Sequence, residues 1–299
     1  MRIVITGTNS YIGDNICSYI QNANEEFEVC MLDVIGKKWR EFDFSGYDAV
    51  VHVAAIVHRK DDVSWEEYYK VNAELPEEIA KRAKSMGVKQ FVFFSSMAIY
   101  GVEKTLSLEK SVVSDKTVPN PSSMYGKSKY LAEQKLLELE DDNFKIAIIR
   151  PPNVYGPGCR GRYIQTYKSI VLKLPIIPKA FTFVRQSVLY IDNLSRFVYL
   201  LITDKKNGVY MPQDEFPLSA VEIMRYISEA LNLNKKTSAF FGTFMYLFSF
   251  CSLVRKGYGG ICYDSKQSHH GEFDYLIVSS KEGIERTVLY GDKCYNTGL

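Results

Sequence analysis

The stretch RIVITGTNSYIG, residues 2–13, decides the fold. Its β-branched run (2–6) stops at Gly7, a helix-like segment follows from about 11 to 21, and a second apolar run, FEVCMLD, fills 27–33. Strand, glycine turn, helix and strand in this order form a nucleotide-binding unit. Gly7 allows the tight turn, and Gly13 lets the helix approach the strand. The N–H groups of Ser10, Tyr11 and Ile12 at the helix start attract a pyrophosphate. Ser10 stands where the usual pattern has its middle glycine. Asp33, 20 residues past Gly13, ends the second strand, where a carboxylate accepts from the adenosine ribose and repels a 2′-phosphate. NAD is therefore favoured over NADP, although Lys37, Lys38 and Arg40 follow closely.

Outward from this unit, DAVVHVA (48–54), QFVFFSS (90–96) and KIAIIRP (145–151) repeat the continuous apolar run, with charged amphipathic stretches at 64–86 and 122–140 between them. Apolar strands alternating with helices predict an α/β fold, a Rossmann-type doubly wound parallel sheet buried on both faces. The NAD-binding domain is placed at 1–150. A smaller substrate-binding region is placed at 151–299, opening on the Pro/Gly-rich PPNVYGPGCRGR, with about 187–203 expected to return to the Rossmann sheet.

The 299 residues carry 37 basic and 35 acidic side chains, and a net charge of +2 gives no field for nucleic acid. Six cysteines (17, 30, 159, 251, 262 and 294) lie far apart without a C-x-x-C pair, which fits a reducing cytoplasm, and no metal-ligand set is assigned. The first apolar run is too short for a signal-peptide core. Residues 237–254, TSAFFGTFMYLFSFCSLV, are 18 in number and uncharged, at the lower limit for a membrane span. Gly242 and the hydroxyls of Thr243, Ser249 and Ser252 dilute that run. A buried or groove-lining helix is favoured over interfacial membrane contact.

The chemistry is sought in SMYGKSKYLAE (123–133). Tyr125 and Lys129 stand four apart, one helical turn, and so share a face. A cation at that distance is expected to lower a phenol's pKa and ease proton exchange with a substrate hydroxyl. Ser96 ends a strand, and ligands of open parallel sheets bind beyond such ends.

With TGTNSYIG, HVAA (52–55), YYKVN (68–72), SSMAIYG (95–101), YGKSK (125–129) and RPPNVYGP (150–157) in order, the chain resembles the extended short-chain dehydrogenases/reductases of the NAD-dependent epimerase/dehydratase family. The resemblance implies Tyr125 as catalytic acid/base, Lys129 on the nicotinamide ribose and Ser96 on the reacting sugar hydroxyl. It further implies Asn153 and Arg185 on the substrate's phosphates, Asp43 and Phe44 at adenine, and Ala54 and Ala55 where the backbone passes the cofactor. Tyr69 stands where some members carry an asparagine, a role that Asn72 does not simply take over.

The resemblance implies a homodimer that pairs through helices near 64–86 and 122–140, in the cytoplasm that the cysteine usage fits. Its substrate would be a UDP-hexose or UDP-hexosamine, with RPPNVYGPG and LPIIP (174–178) similar to enzymes of capsule and O-antigen sugar pathways. C4 epimerisation is the first expectation, and 4-keto reduction of a UDP-6-deoxyhexosamine the alternative. Dehydration is disfavoured by Met97 and Ala98, which follow SS where those relatives carry an acid. A non-catalytic nucleotide sensor or a membrane-attached scaffold is the reading from another class.

Overall fold

In the first strand Ile3 and Ile5 face one side of the sheet and Val4 the other, and all three are fully buried. That two-sided burial requires helices on both faces. The computed structural model describes residues 1–57, 63–102, 104–107 and 112–296, with side chains described through 290.

The nucleotide-binding half runs β1 (Arg2–Thr6), α1 (Tyr11–Ala23), β2 (Glu28–Leu32), β3 (Ala49–His52), α2 (Trp65–Tyr69), α3 (Leu75–Ser85), β4 (Gln90–Phe94), β5 (Val112–Val113), α4 (Met124–Leu137) and β6 (Lys145–Ile149). Beyond it come β7 (Asn153–Tyr155), α5 (Tyr163–Lys173), β8 (Ile177–Pro178), β9 (Val188–Tyr190), α6 (Ile191–Thr203), β10 (Gly208–Tyr210) and α7 (Ala220–Ala230). The chain closes with β11 (Thr237–Ser238), α8 (Ala239–Leu247), α9 (Ser252–Tyr258), β12 (Cys262–Tyr263) and α10 (Ser280–Asn296).

Six strands form the parallel sheet in the order β10-β6-β4-β3-β1-β2. Ile16 and Ile20 of α1 and Leu194, Phe197 and Leu201 of α6 cover one face. Ile79 and Ala83 of α3 and Ala132 and Leu136 of α4 cover the other. The strand order reverses between β1 and β3, so the ligand crevice opens where Gly7 and residues 53–57 leave the sheet.

The return to the sheet differs from the expectation for 187–203. Val188–Tyr190 pairs with Asn153–Tyr155 in a separate two-stranded sheet, and the sixth strand of the main sheet is Gly208–Tyr210 beside β6. The apolar run at 187–191 carries no marker of its partner, since any neighbouring strand satisfies its backbone. Its following helix does cover the main sheet. Buried Asp214 ties the junction together: it accepts from the Tyr155 hydroxyl (2.8 Å), the Tyr190 N–H (2.9 Å) and the Asn193 amide (2.9 Å).

Among the described residues no helix is long and apolar enough to cross a membrane. Cys17, Cys30, Cys159, Cys251 and Cys262 are free, and the Cys294 side chain lies outside those described.

Candidate active site

Gly7 has φ +92°, and a Cβ there would lie 3.2 Å from the Ala54 backbone. A side chain is excluded both by conformation and by space, which leaves the β1 turn open to a ligand's phosphates. Ser10 caps α1 by accepting from the Gly13 N–H at 3.0 Å, so its hydroxyl proton stays available to donate. Gly7, Ser10, Tyr11, Ile12, Asp33, Ala54, Ala55, Ser95, Ser96, Tyr125, Lys129 and Asn153 all line one cleft of about 1540 Å³. That exceeds the roughly 300–1,000 Å³ that holds one drug-sized ligand, and suits two extended ones.

Two buried hydroxyls on its wall, those of Tyr11 and Ser95, have no hydrogen-bond partner among the described residues. Buried polar atoms are normally satisfied, so both point to a polar ligand. A dinucleotide fits: a glycine turn without room for Cβ, a capped helix start and unsatisfied donors along the wall. Asp33 spends Oδ1 on the Ile35 N–H (2.9 Å) and is exposed, leaving its other oxygen for a ribose. Arg40, one of the cations that could have favoured NADP, is paired with Glu78 at 2.5 Å.

The reacting end is assembled by close backbone contact. Ser123 caps α4 by accepting from Gly126 N–H (3.0 Å), and a Cβ on Gly126 would lie 2.6 Å from the Ala98 carbonyl oxygen. Only glycine lets the first turn of α4 approach the loop after β4 so closely. Ser96 in that loop thereby meets Tyr125 and hydrogen-bonds its hydroxyl.

Burial pushes the Tyr125 phenol up to about 12, against the opposing pull of the Ser96 bond. The phenol's net shift is thus upward, opposite to the lowering that the sequence leads one to expect from Lys129. Its ammonium is buried, donates to the Phe94 carbonyl at 2.7 Å and sits 4.7 Å from the Phe93 ring centroid. Burial lowers it to about 7, partly opposed by the Glu133 carboxylate. A shared helix face fixes neighbourhood but not reach, and the lysine stem runs down to the sheet.

The sign of the linkage follows. Lys129 titrates near 7 in the fold against an ordinary 10.5, so the unfolded chain holds more protons between those values. Its contribution to stability therefore improves as pH rises through that window. Urea titrations of the protein and of Lys129→Met at about pH 7 and about pH 9 should show the difference moving in favour of the natural chain at the higher pH. A difference equal at both would contradict the lowered value.

Asn72 was not assigned from the sequence. It is fully buried in a short π-helical segment (Lys70–Glu74), a conformation that often marks functional sites. Its Oδ1 accepts from the Ile56 N–H (2.8 Å), and its Nδ2 donates to the Ile56 carbonyl (2.9 Å) and the Ser128 hydroxyl (3.1 Å). It thus bolts the cleft wall at 54–57 to the helix that carries Tyr125. The YYKVN motif was the available signal. Tyr69, the position compared there, does not line the cleft; its ring lies 6.3 Å from that of Trp65. Asn72→Ala should cost about 1–3 kcal/mol by stranding Ile56. It should also weaken dinucleotide binding, which fluorescence titration would read; unchanged affinity would separate Asn72 from the site.

Three expected site residues are placed elsewhere. Phe44 is fully buried in the core beneath α3, and Asp43 accepts from the Ser45 N–H (2.9 Å) in a local turn; neither lines the cleft. Arg185 also does not line it, because its guanidinium pairs with Glu222 at 2.5 Å. Cations that do line the cleft include Lys104, which donates to Gln186 Oε1 at 3.4 Å, and Arg160. Lys104 lies 5.3 Å from the Tyr163 ring centroid and is shifted below its ordinary pKa by burial.

The model of the NAD dependent epimerase/dehydratase family matches residues 3–210, most of the chain. The chain belongs to that family. Within it, the chain is 30% identical over 253 residues to a UDP-glucose 4-epimerase of Vibrio cholerae, covering 77% of this chain and 76% of that one. It is 29% identical over 194 residues to an N-acetyl-alpha-D-glucosaminyl-diphospho-ditrans,octacis-undecaprenol 4-epimerase of Escherichia coli O157:H7, covering 63% and 56%. Among solved structures, UDP-glucuronic acid 4-epimerase of Bacillus cereus in complex with NAD superposes with a TM-score of 0.74 at 19% identity, over 100% of this chain and 99% of that one. At that identity the superposition establishes the family's fold.

Proposed function

We propose that this chain is an NAD-dependent 4-epimerase of a UDP-hexose or UDP-hexosamine. The observation that supports the reading is that Ser96, hydrogen-bonded to Tyr125, and Lys129 line the same cleft as the glycine turn. The 4-epimerase activities of the two relatives support C4 as the reacting carbon.

When bound, oxidised NAD supplies the hydride acceptor and a positive charge. The protein's part is the proton. Ser96 would hold the C4 hydroxyl beside the Tyr125 oxygen, and Tyr125, acting as phenolate, would take its proton while C4 gives up hydride. With the phenol near 12, forming that phenolate depends on positive charge brought to its side, and Lys129 near 7 adds such charge whenever it is protonated. The 4-keto sugar then turns over, takes hydride on its other face and regains the proton from Tyr125. No net oxidation results, so the reaction would consume no external oxidant or reductant. Lys104 and Arg160 take the place expected of Arg185 for the substrate's diphosphate, and Asn153 lines the same region.

The test is absorbance at the reduced-nicotinamide band when UDP-sugars are added to purified protein without external cofactor, with product followed by chromatography. A signal with interconversion of C4 epimers supports the reading. Turnover only when reduced cofactor and a 4-keto sugar are supplied would replace it with the reductase. A dimer through the α2–α3 and α4 face, where Trp65 and Leu137 are exposed, should scatter light with twice the 34.2 kDa chain mass. A mass of one chain at micromolar concentration would refute it.

A further inference from the structure

The uncharged stretch 237–254 folds as two short helices joined by a turn, and its apolar residues divide between two sides. Inward, Gly242 lets α8 press against the Lys179 backbone, and the Tyr246 hydroxyl accepts from the Phe181 N–H at 3.0 Å. Val254 and Tyr258 of α9 are buried, with the Tyr258 hydroxyl donating to the Pro178 carbonyl at 3.0 Å. Outward, Phe240, Leu247, Phe250 and Leu253 are 65–76% exposed, with Phe244 and Phe248 between them. Phe240, Phe244 and Leu247 follow helical spacing, so they form one face rather than a scatter.

The charges carried by this segment have one sign. No carboxylate occurs between Glu229 and Asp264, while Lys235, Lys236, Arg255 and Lys256 fall within that interval. Lys235 is turned inward to the Val171 and Leu174 carbonyls; Lys236, Arg255 and Lys256 are exposed, as is Lys179 beneath. A second copy is a poor occupant, because two-fold pairing of the same patch would bring like charges together with no carboxylate in the segment to neutralise them. An anionic surface with an apolar interior matches both features. With nine residues, α8 spans roughly 14 Å, too short to cross a bilayer but long enough to lie in its headgroup region.

We propose that the α8–α9 face docks this protein on an anionic lipid bilayer, with its phenylalanines and leucines in the interfacial zone and its cations on the headgroups. The consequence for the site is geometric. Helix α9 runs within three residues into Ile261, which lines the cleft next to Gln186 and Lys104. Docking therefore holds the sugar end of the cleft near the membrane surface. This inference goes beyond the proposed reaction and stands apart from it.

The test is co-sedimentation of the full chain with vesicles of phosphatidylglycerol and phosphatidylcholine, or of phosphatidylcholine alone, at low and at high salt. Binding should be at least roughly ten-fold tighter to the anionic vesicles and weaken with salt. Lys236→Glu with Lys256→Glu should remove most of it, at roughly five-fold per cation. Phe240→Ser with Leu247→Ser, Phe250→Ser and Leu253→Ser should abolish binding while leaving thermal unfolding and dinucleotide affinity unchanged, which separates this surface from the cleft. The proposal is overturned if the natural chain stays in the supernatant with anionic vesicles at low salt, or if the four-serine variant binds as before. It is also overturned in favour of a second copy if that variant loses only a dimer seen by light scattering.

Discussion

Tyr125→Phe should purify with as much NAD as the natural chain and turn over roughly 10²- to 10⁴-fold more slowly, the usual worth of a positioned proton-transfer group. The substitution removes one oxygen from a ring whose surroundings are fixed by other contacts. Gly126 still seats α4 against the Ala98 carbonyl, and Ser96 still accepts from the Ala98 N–H at 3.1 Å. The cleft wall at 54–57 is held by Asn72 at Ile56 and is not touched. Cofactor content by absorbance after denaturation, set beside initial rates of epimer interconversion, would divide the outcomes. Unchanged turnover would mean that another group moves the proton. Loss of cofactor together with turnover would make the phenol a binding group.

The nucleotide half was legible because each of its strands is a continuous apolar run and its turns are written in glycine. Both are local properties of the chain. What eluded the sequence was set by partners distant along it. Arg185 matched a family position, yet Glu222, 37 residues on, claims its guanidinium. Phe44 matched another, but an apolar ring beside α3 gains more from the core than from the cleft. Lys129 was found by spacing, whereas its downward reach to Phe94 and its lowered pKa are products of packing. Lys104 and Gln186 reach the cleft from separate segments, and no motif marks either. In 237–254 hydropathy reported the apolar content, but only the fold tells which side chains Gly242 and Tyr246 turn inward and which are left facing water.

Glu133→Ala should be among the most damaging single changes, at about 3–5 kcal/mol, because it strands a buried guanidinium. Glu133 is enclosed on α4, one turn beyond Lys129, and holds Arg150 in a two-pronged pair at 3.0 and 2.6 Å. Arg150, 13% exposed at its side chain, has among the described residues one further side-chain hydrogen-bond partner in the Tyr100 hydroxyl at 2.7 Å. One hydroxyl cannot replace a carboxylate for a desolvated cation. The damage reaches the site by two routes. Lys129 loses the carboxylate that supports its charge, so its pKa falls further below about 7. Arg150 also accepts at its carbonyl from the Tyr263 hydroxyl (2.8 Å), so a shift there loosens the segment that carries Ile261 to the cleft. Urea unfolding reads the first effect. The pairing is isolated by Glu133→Met combined with Arg150→Leu, which removes both charges and should recover most of the loss. If Glu133→Ala costs under about 1 kcal/mol, water reaches Arg150 and the pair is not a buried one. If the double variant is as unstable as the single, packing around the pair rather than its charge holds α4 to the sheet.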